Sequence, residues 1–153
     1  MKSTLLISLL CWWVLADGGA DDPPEVKPDI YLMQGAWVRV SSEINGKKWP
    51  MGEKRPLLIV IDNGFSFGFD KDGKSAAPDT AILDPARGPK AIDFTPTVGS
   101  LKGQTYPGIY KIEGDRLTLC LSVAPGSKRP NRFATAGTEW VLDVYERPKP
   151  NPK

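Results

Sequence analysis

The sequence predicts an all-β chain whose eight strands form an antiparallel up-and-down barrel. Three observations lead there. Segments of about five to ten residues, rich in β-branched and aromatic types, alternate with Gly, Pro, Asn and Asp punctuation. No stretch of adequate length carries an apolar stripe at helical spacing, which excludes βαβ architectures. Most links between successive segments are short. A sandwich needs longer crossovers, whereas a meander of this size closes because closure removes exposed edges.

The first strand spans residues 35–44 and stops at Asn45-Gly46, a strong hairpin dipeptide. Residues 57–61 are wholly apolar, and Asp62-Asn63-Gly64 turns them into residues 65–69. There Phe65, Phe67 and Phe69 share one face, against Ser66, Gly68 and Asp70 on the other. Asp72-Gly73 turns again into a weaker strand over 75–83, where Pro78 favours an edge. Residues 90–95 alternate Ile92 and Phe94 with Ala91, Asp93 and Thr95. Residues 104–112 follow, with a bend or bulge expected at Tyr106-Pro107-Gly108. After the Glu113-Gly114-Asp115 turn, 116–121 places Leu117, Leu119 and Leu121 on one face. The last strand, 138–146, sets Trp140, Leu142 and Val144 opposite Val141, Asp143 and Tyr145.

The flanks differ in character. Residues 1–16 have the form of an export signal: Lys2, an apolar run from Leu5, then Ala16 as a small residue at the cleavage position. Gly18-Gly19-Ala20 offers a second cut. The run is too short to span a bilayer, and Leu10 before Cys11 does not suit a lipoprotein signal. Residues 17–29 form an acidic, proline-broken spacer with nothing to bury, and 148–153 a disordered tail. The folded unit is then 30–147. Export predicts an extracytoplasmic location with no integral membrane span after cleavage. It also leaves Cys120 as the single thiol, so the domain must be held without a disulfide.

Composition narrows function. The 153 residues carry 20 Lys+Arg, 18 Asp+Glu and no His. Near-balanced charge argues against a nucleic-acid partner, which requires a concentrated basic surface. Without histidine there is no Ser-His-Asp triad, no Cys-His pair and no His-based zinc site. No residue set points to a metal or cofactor. Asp70-x-Asp72-Gly73 starts like a calcium loop, but the twelfth position is Ala81.

Two resemblances follow from the residues. Gly35-Ala36-Trp37 opens the first strand and Arg147 ends the last. This resembles lipocalin-like barrels, whose Gly-x-Trp is covered by a basic residue from the final strand. The likeness implies that Gly35, Trp37 and Arg147 close one barrel end through a cation–π contact. A longer string comprises Leu32-x-Gln34-Gly35-x-Trp37, Ile82-x-Asp84-Pro85, Pro89-Lys90-Ala91-Ile92-Asp93, Gly108-Ile109-Tyr110, Gly114-Asp115-x-Leu117-x-x-Cys120 and Arg129-Pro130-x-x-Phe133. It resembles a lipocalin-like domain family of unknown function, abundant in planctomycete bacteria and often exported. Ala77-Pro78-Asp79-Thr80 departs from that family's Gly-x-Tyr. The resemblance implies a fold and a compartment, and brings no catalytic residue.

Several residues could carry function. Phe65, Phe67 and Phe69 could line a pocket for an apolar ligand or simply fill the barrel. Trp49 is a large aromatic at a barrel mouth, fit to anchor a ligand or partner or to cap the core. Cys120 is either a packed thiol or one tuned by Arg116. Lys128 to Arg132 is a basic loop that could meet an acidic partner or be pinned by Phe133. Asp84, Asp93, Asp115, Glu139 and Asp143 could supply a carboxylate pair. The expectation is a non-catalytic binder of a small hydrophobic ligand. The alternatives are a filled-barrel module for an envelope protein partner and, more weakly, a carboxylate-dependent enzyme.

Overall fold

The structure, a computed structural model, describes residues 28–51, 57–68 and 78–149. The expected export signal, most of the acidic spacer, Phe69, the Asp72-Gly73 turn and the end of the tail lie outside the described residues. The elements in order are α1 (Asp29–Met33), β1 (Gly35–Ile44), β2 (Lys47–Lys48), β3 (Leu57–Ile61) and β4 (Gly64–Gly68). They continue with β5 (Asp79–Asp84), β6 (Ala91–Thr95), β7 (Tyr106–Glu113), β8 (Arg116–Ser122) and β9 (Trp140–Glu146).

Every strand pairs antiparallel with its neighbour from β3 to β9, and β9 returns to β1, so eight strands close a barrel. β2 is an added two-residue strand on the end of β1, folded back at Asn45-Gly46. Both turn residues have positive φ, 48° and 72°, which suits Asn-Gly and matches the twist of a tight hairpin. The predicted up-and-down barrel is therefore observed.

Two local expectations change. Tyr106, Pro107 and Gly108 stay in unbroken register with Phe94, Asp93 and Ile92. The irregularity falls in β1 instead, between Arg39 and Ser41 opposite β9. Gly108 is needed for closeness: a Cβ there would stand 2.3 Å from Leu121 Cδ2 and 2.9 Å from the Cys120 carbonyl. Asp29 is not spacer. It opens α1 with its carboxylate largely buried, accepting from Lys90 Nζ at 2.7 Å and Tyr110 Oη at 2.6 Å. An acid in a proline-broken run does not announce partners this far along the chain.

The interior holds Met33, Trp37, Leu58, Val60, Phe65, Ala81, Ile92, Phe94, Tyr110, Leu117, Leu119 and Tyr145. At one end α1 covers the barrel, beside the turns at 62–63, 85–90 and 114–115. The opposite end carries Ile44, Phe67 and Val141 at strand termini. From that end residues 123–139 run back over the outer wall as a strap. Beneath it Thr118, Cys120 and Ser122 are buried, while Leu117 and Leu119 are buried on the inner side. β8 is thus covered on both faces.

Candidate functional site

The α1 end is sealed by Trp37, which is fully buried and donates its Nε1–H to the Met33 carbonyl at 2.7 Å. The Arg147 guanidinium lies 3.7 Å from the ring centroid. It also donates to the carbonyls of Gln34 at 2.6 Å, Leu32 at 2.9 Å and Ala36 at 3.3 Å. Gly35, with φ 94°, leaves 3.2 Å between its absent Cβ and Arg147 Nη1. The three residues expected to close the barrel therefore meet at one point. Gln34 ties this end to the β3–β4 turn, exchanging hydrogen bonds of 2.9 Å with both backbone groups of Asp62.

At the other end the aromatic face is built from three rings. Phe65 is buried and packs edge-on against Phe94, centroids 5.1 Å apart at 87°. Phe67 packs on the same ring at 5.4 Å and 67°, yet 41% of it remains exposed. Two of the three expected phenylalanines are thus brought together, with Phe94 as the hub between them. The sequence pattern gave no reason to join Phe94 to them, because sheet neighbours two strands apart are invisible in a linear alternation. Trp49 extends the β1–β2 hairpin through its N–H to the Ser42 carbonyl at 2.8 Å and is 62% exposed. It does not cap the core, and among the described residues no aromatic contact joins it to Phe65 or Phe67.

A polar group lies on the inner wall near this end. Arg39 of β1 faces Tyr145 and, past the bulge, Ser42 faces Asp143. Arg39 Nη1 donates to Asp143 Oδ2 at 3.2 Å, and Tyr145 Oη donates to the same oxygen at 3.3 Å. Arg39 Nε and Asp143 Oδ1 are buried without a partner. Burial pushes the Tyr145 hydroxyl well above the usual range, reinforced by the Asp143 charge and opposed by Arg39. On apolarity alone the Trp140, Leu142 and Val144 face of β9 would be the inner one. The structure places Asp143 and Tyr145 inside, because the strap covers the other face. The one available signal was the alternation Trp37-x-Arg39, which sets Arg39 beside a core tryptophan.

No family model, curated protein or solved structure matches the chain.

Several of the remaining candidates are held in structural contacts. Asp93 receives Arg129 through Nη2 at 2.7 and 3.0 Å, while Arg129 Nη1 donates to the carbonyls of Ile92 at 3.0 Å and Gly108 at 2.7 Å. The acid that meets the basic loop is therefore the chain's own. Arg129 pins the strap, and Phe133, half-buried, adds a contact to β7 with Lys111 Nζ 5.6 Å from its ring centroid. Thr135 is fully buried, donating to Glu43 Oε1 at 2.6 Å and accepting from Gly46 N–H at 2.8 Å. Cys120 lies under this cover. Burial pushes its thiol up to about 11, aided by the Glu43 and Asp143 charges and opposed by the Ala134 N–H. Arg116 does not tune it, being paired with Glu146 at 3.0 Å. Asp93 faces outward and Asp143 inward, each committed to an arginine, so these two do not form a catalytic pair. Among the described residues, no group of three or more Cys, Asp or Glu side chains is arranged to hold a metal.

Proposed function

We propose that this chain is an exported, non-catalytic binding module of lipocalin-like type that holds a small hydrophobic ligand in the barrel mouth opposite α1. The observation that carries the reading is Phe67, an inward ring edge-packed on Phe94 and left 41% exposed. An accessible aromatic on the inner wall, backed by a buried second ring, is the lining an apolar ligand requires. Native mass spectrometry of protein purified from its own host, with Nile red titration of the ligand-free protein, tests it. The expected result is a co-purifying apolar molecule and dye binding that Phe67→Ser weakens about tenfold, the loss of one buried aromatic contact. Repeated absence of both would sink the reading.

A second reading is supported by a different surface. Tyr31, Ile61 and Ile82 are 65%, 68% and 74% exposed, close to shallow cavities of about 360 and 400 Å³ flanking α1. Exposed apolar groups so grouped suit a protein partner. Under that reading Ile82→Ser, and not Phe67→Ser, abolishes capture of a partner from an envelope fraction.

A further inference from the structure

The inner-wall polar group bears on what the mouth would hold. Asp143 stands across from the buried Leu119 and Arg39 across from the buried Tyr145, where charges lacking hydrogen bonds are costly. Their single bond of 3.2 Å leaves one donor, Arg39 Nε–H, and one acceptor, Asp143 Oδ1, both sealed from solvent and unpaired. Asp143 is 8% exposed, and the Arg39 side chain keeps 23% of its exposure, making Arg39 the reachable member. An unmade hydrogen bond of this kind costs more than a made one gains, so a group that completes both is favoured. The two charges cancel. An added carboxylate would confront Asp143 and an added ammonium Arg39, at low local dielectric.

We propose that the barrel mouth selects a neutral amphiphile, an apolar chain ending in a carboxamide or hydroxyl that accepts from Arg39 Nε–H and donates to Asp143 Oδ1. The inference rests on the reading of the barrel as a ligand binder. In this proposal the Arg39 guanidinium swings aside to admit the head group, while Phe67, the exposed ring, takes the chain. Tyr145 Oη holds Asp143 in place meanwhile.

Displacement of Nile red by octanamide, 1-octanol, octanoate and octylammonium at neutral pH tests the proposal on the full chain. The two neutral probes should displace the dye at about tenfold lower concentration than the two ionic ones, the worth of roughly one satisfied buried hydrogen bond. Asp143→Asn removes the negative charge and should erase or invert the margin against octanoate. Tyr145→Phe, which keeps the ring and the fold, should shrink the margin for all probes. Equal displacement by all four probes, or preference for an ionic one, overturns the selectivity while leaving ligand binding intact. Failure of Nile red itself to bind overturns ligand binding and the selectivity with it.

Discussion

Single side chains decide whether the α1 end stays shut. Trp37 provides the ring that Arg147 covers, the donor for the Met33 carbonyl and a fully buried volume. Trp37→Ala should destabilise the fold by about 3–5 kcal/mol, read as a lower urea midpoint, as expected for a large buried aromatic. A near-neutral change would mean the ring is dispensable. Gly108 makes the opposite demand. Gly108→Ala places a methyl within 2.3 Å of Leu121 and close to the Cys120 carbonyl backbone. It should cost roughly 1–3 kcal/mol or more through overpacking, by the same measurement. Both residues were legible as motif members. Why glycine is obligatory was not, since the reason is a neighbour on β8 rather than a turn.

Elements add terms that no residue carries alone. The strap is fixed by Arg129, which donates to one carboxylate and two strand carbonyls at once. Arg129→Ala should cost about 2–3 kcal/mol, discounted for the partial exposure of the pair. It should also let an alkylating reagent reach Cys120 many times faster under native conditions. Arg129→Lys should rescue little, because an ammonium cannot span three acceptors in one plane. Unchanged Cys120 labelling in Arg129→Ala would show that the strap is held elsewhere. At the opposite end α1 is clipped by Asp29. Burial alone would raise its carboxyl, but the bonds from Lys90 and Tyr110 and the Lys90 charge prevail and hold it below the ordinary value. A lowered folded pKa stabilises above the unfolded value of about 4 and is lost as pH falls through the folded one. Wild type should therefore lose more stability than Asp29→Asn between about pH 5 and pH 3, measured by urea unfolding at each pH. An equal loss in both would detach Asp29 from the acid response.

At the scale of the whole molecule the barrel is uneven. β7, β8 and β9 share long registers, and β8 is buried on both sides. Among the described residues, β4 and β5 meet only at Gly64–Thr80 and Phe65–Asp79. Native-state hydrogen exchange should show the slowest amides in β8 and its neighbours and much faster ones along the β4–β5 seam. Uniform protection around the barrel would contradict this. The closed architecture was readable because strand period and turn dipeptides are local signals: Asn45-Gly46, Asp62-Asn63-Gly64 and the alternating leucines of β8 each act within a few residues. The strap and the inner polar group were not readable. Arg129 with Asp93, and Arg39 with Asp143, are joined by folding across 36 and 104 positions. The bulge after Arg39 then shifts which β1 residues point inward. Several residues of the sequence motifs prove to be fasteners: Gln34 on Asp62, Asp93 under Arg129, Gly108 beneath Leu121. Residues of this kind hold a shape together and are silent about chemistry.

The pairing of β1 with β9 has a directional consequence. The described chain enters through α1 and leaves past Arg147, whose guanidinium is bonded to the Leu32 and Gln34 carbonyls. Both ends of the described chain therefore issue from the same rim, with Phe67 toward the far one. Such a body behaves as a cassette: fastened through either end of the described chain, it turns its α1 rim toward the anchor and its opposite rim outward.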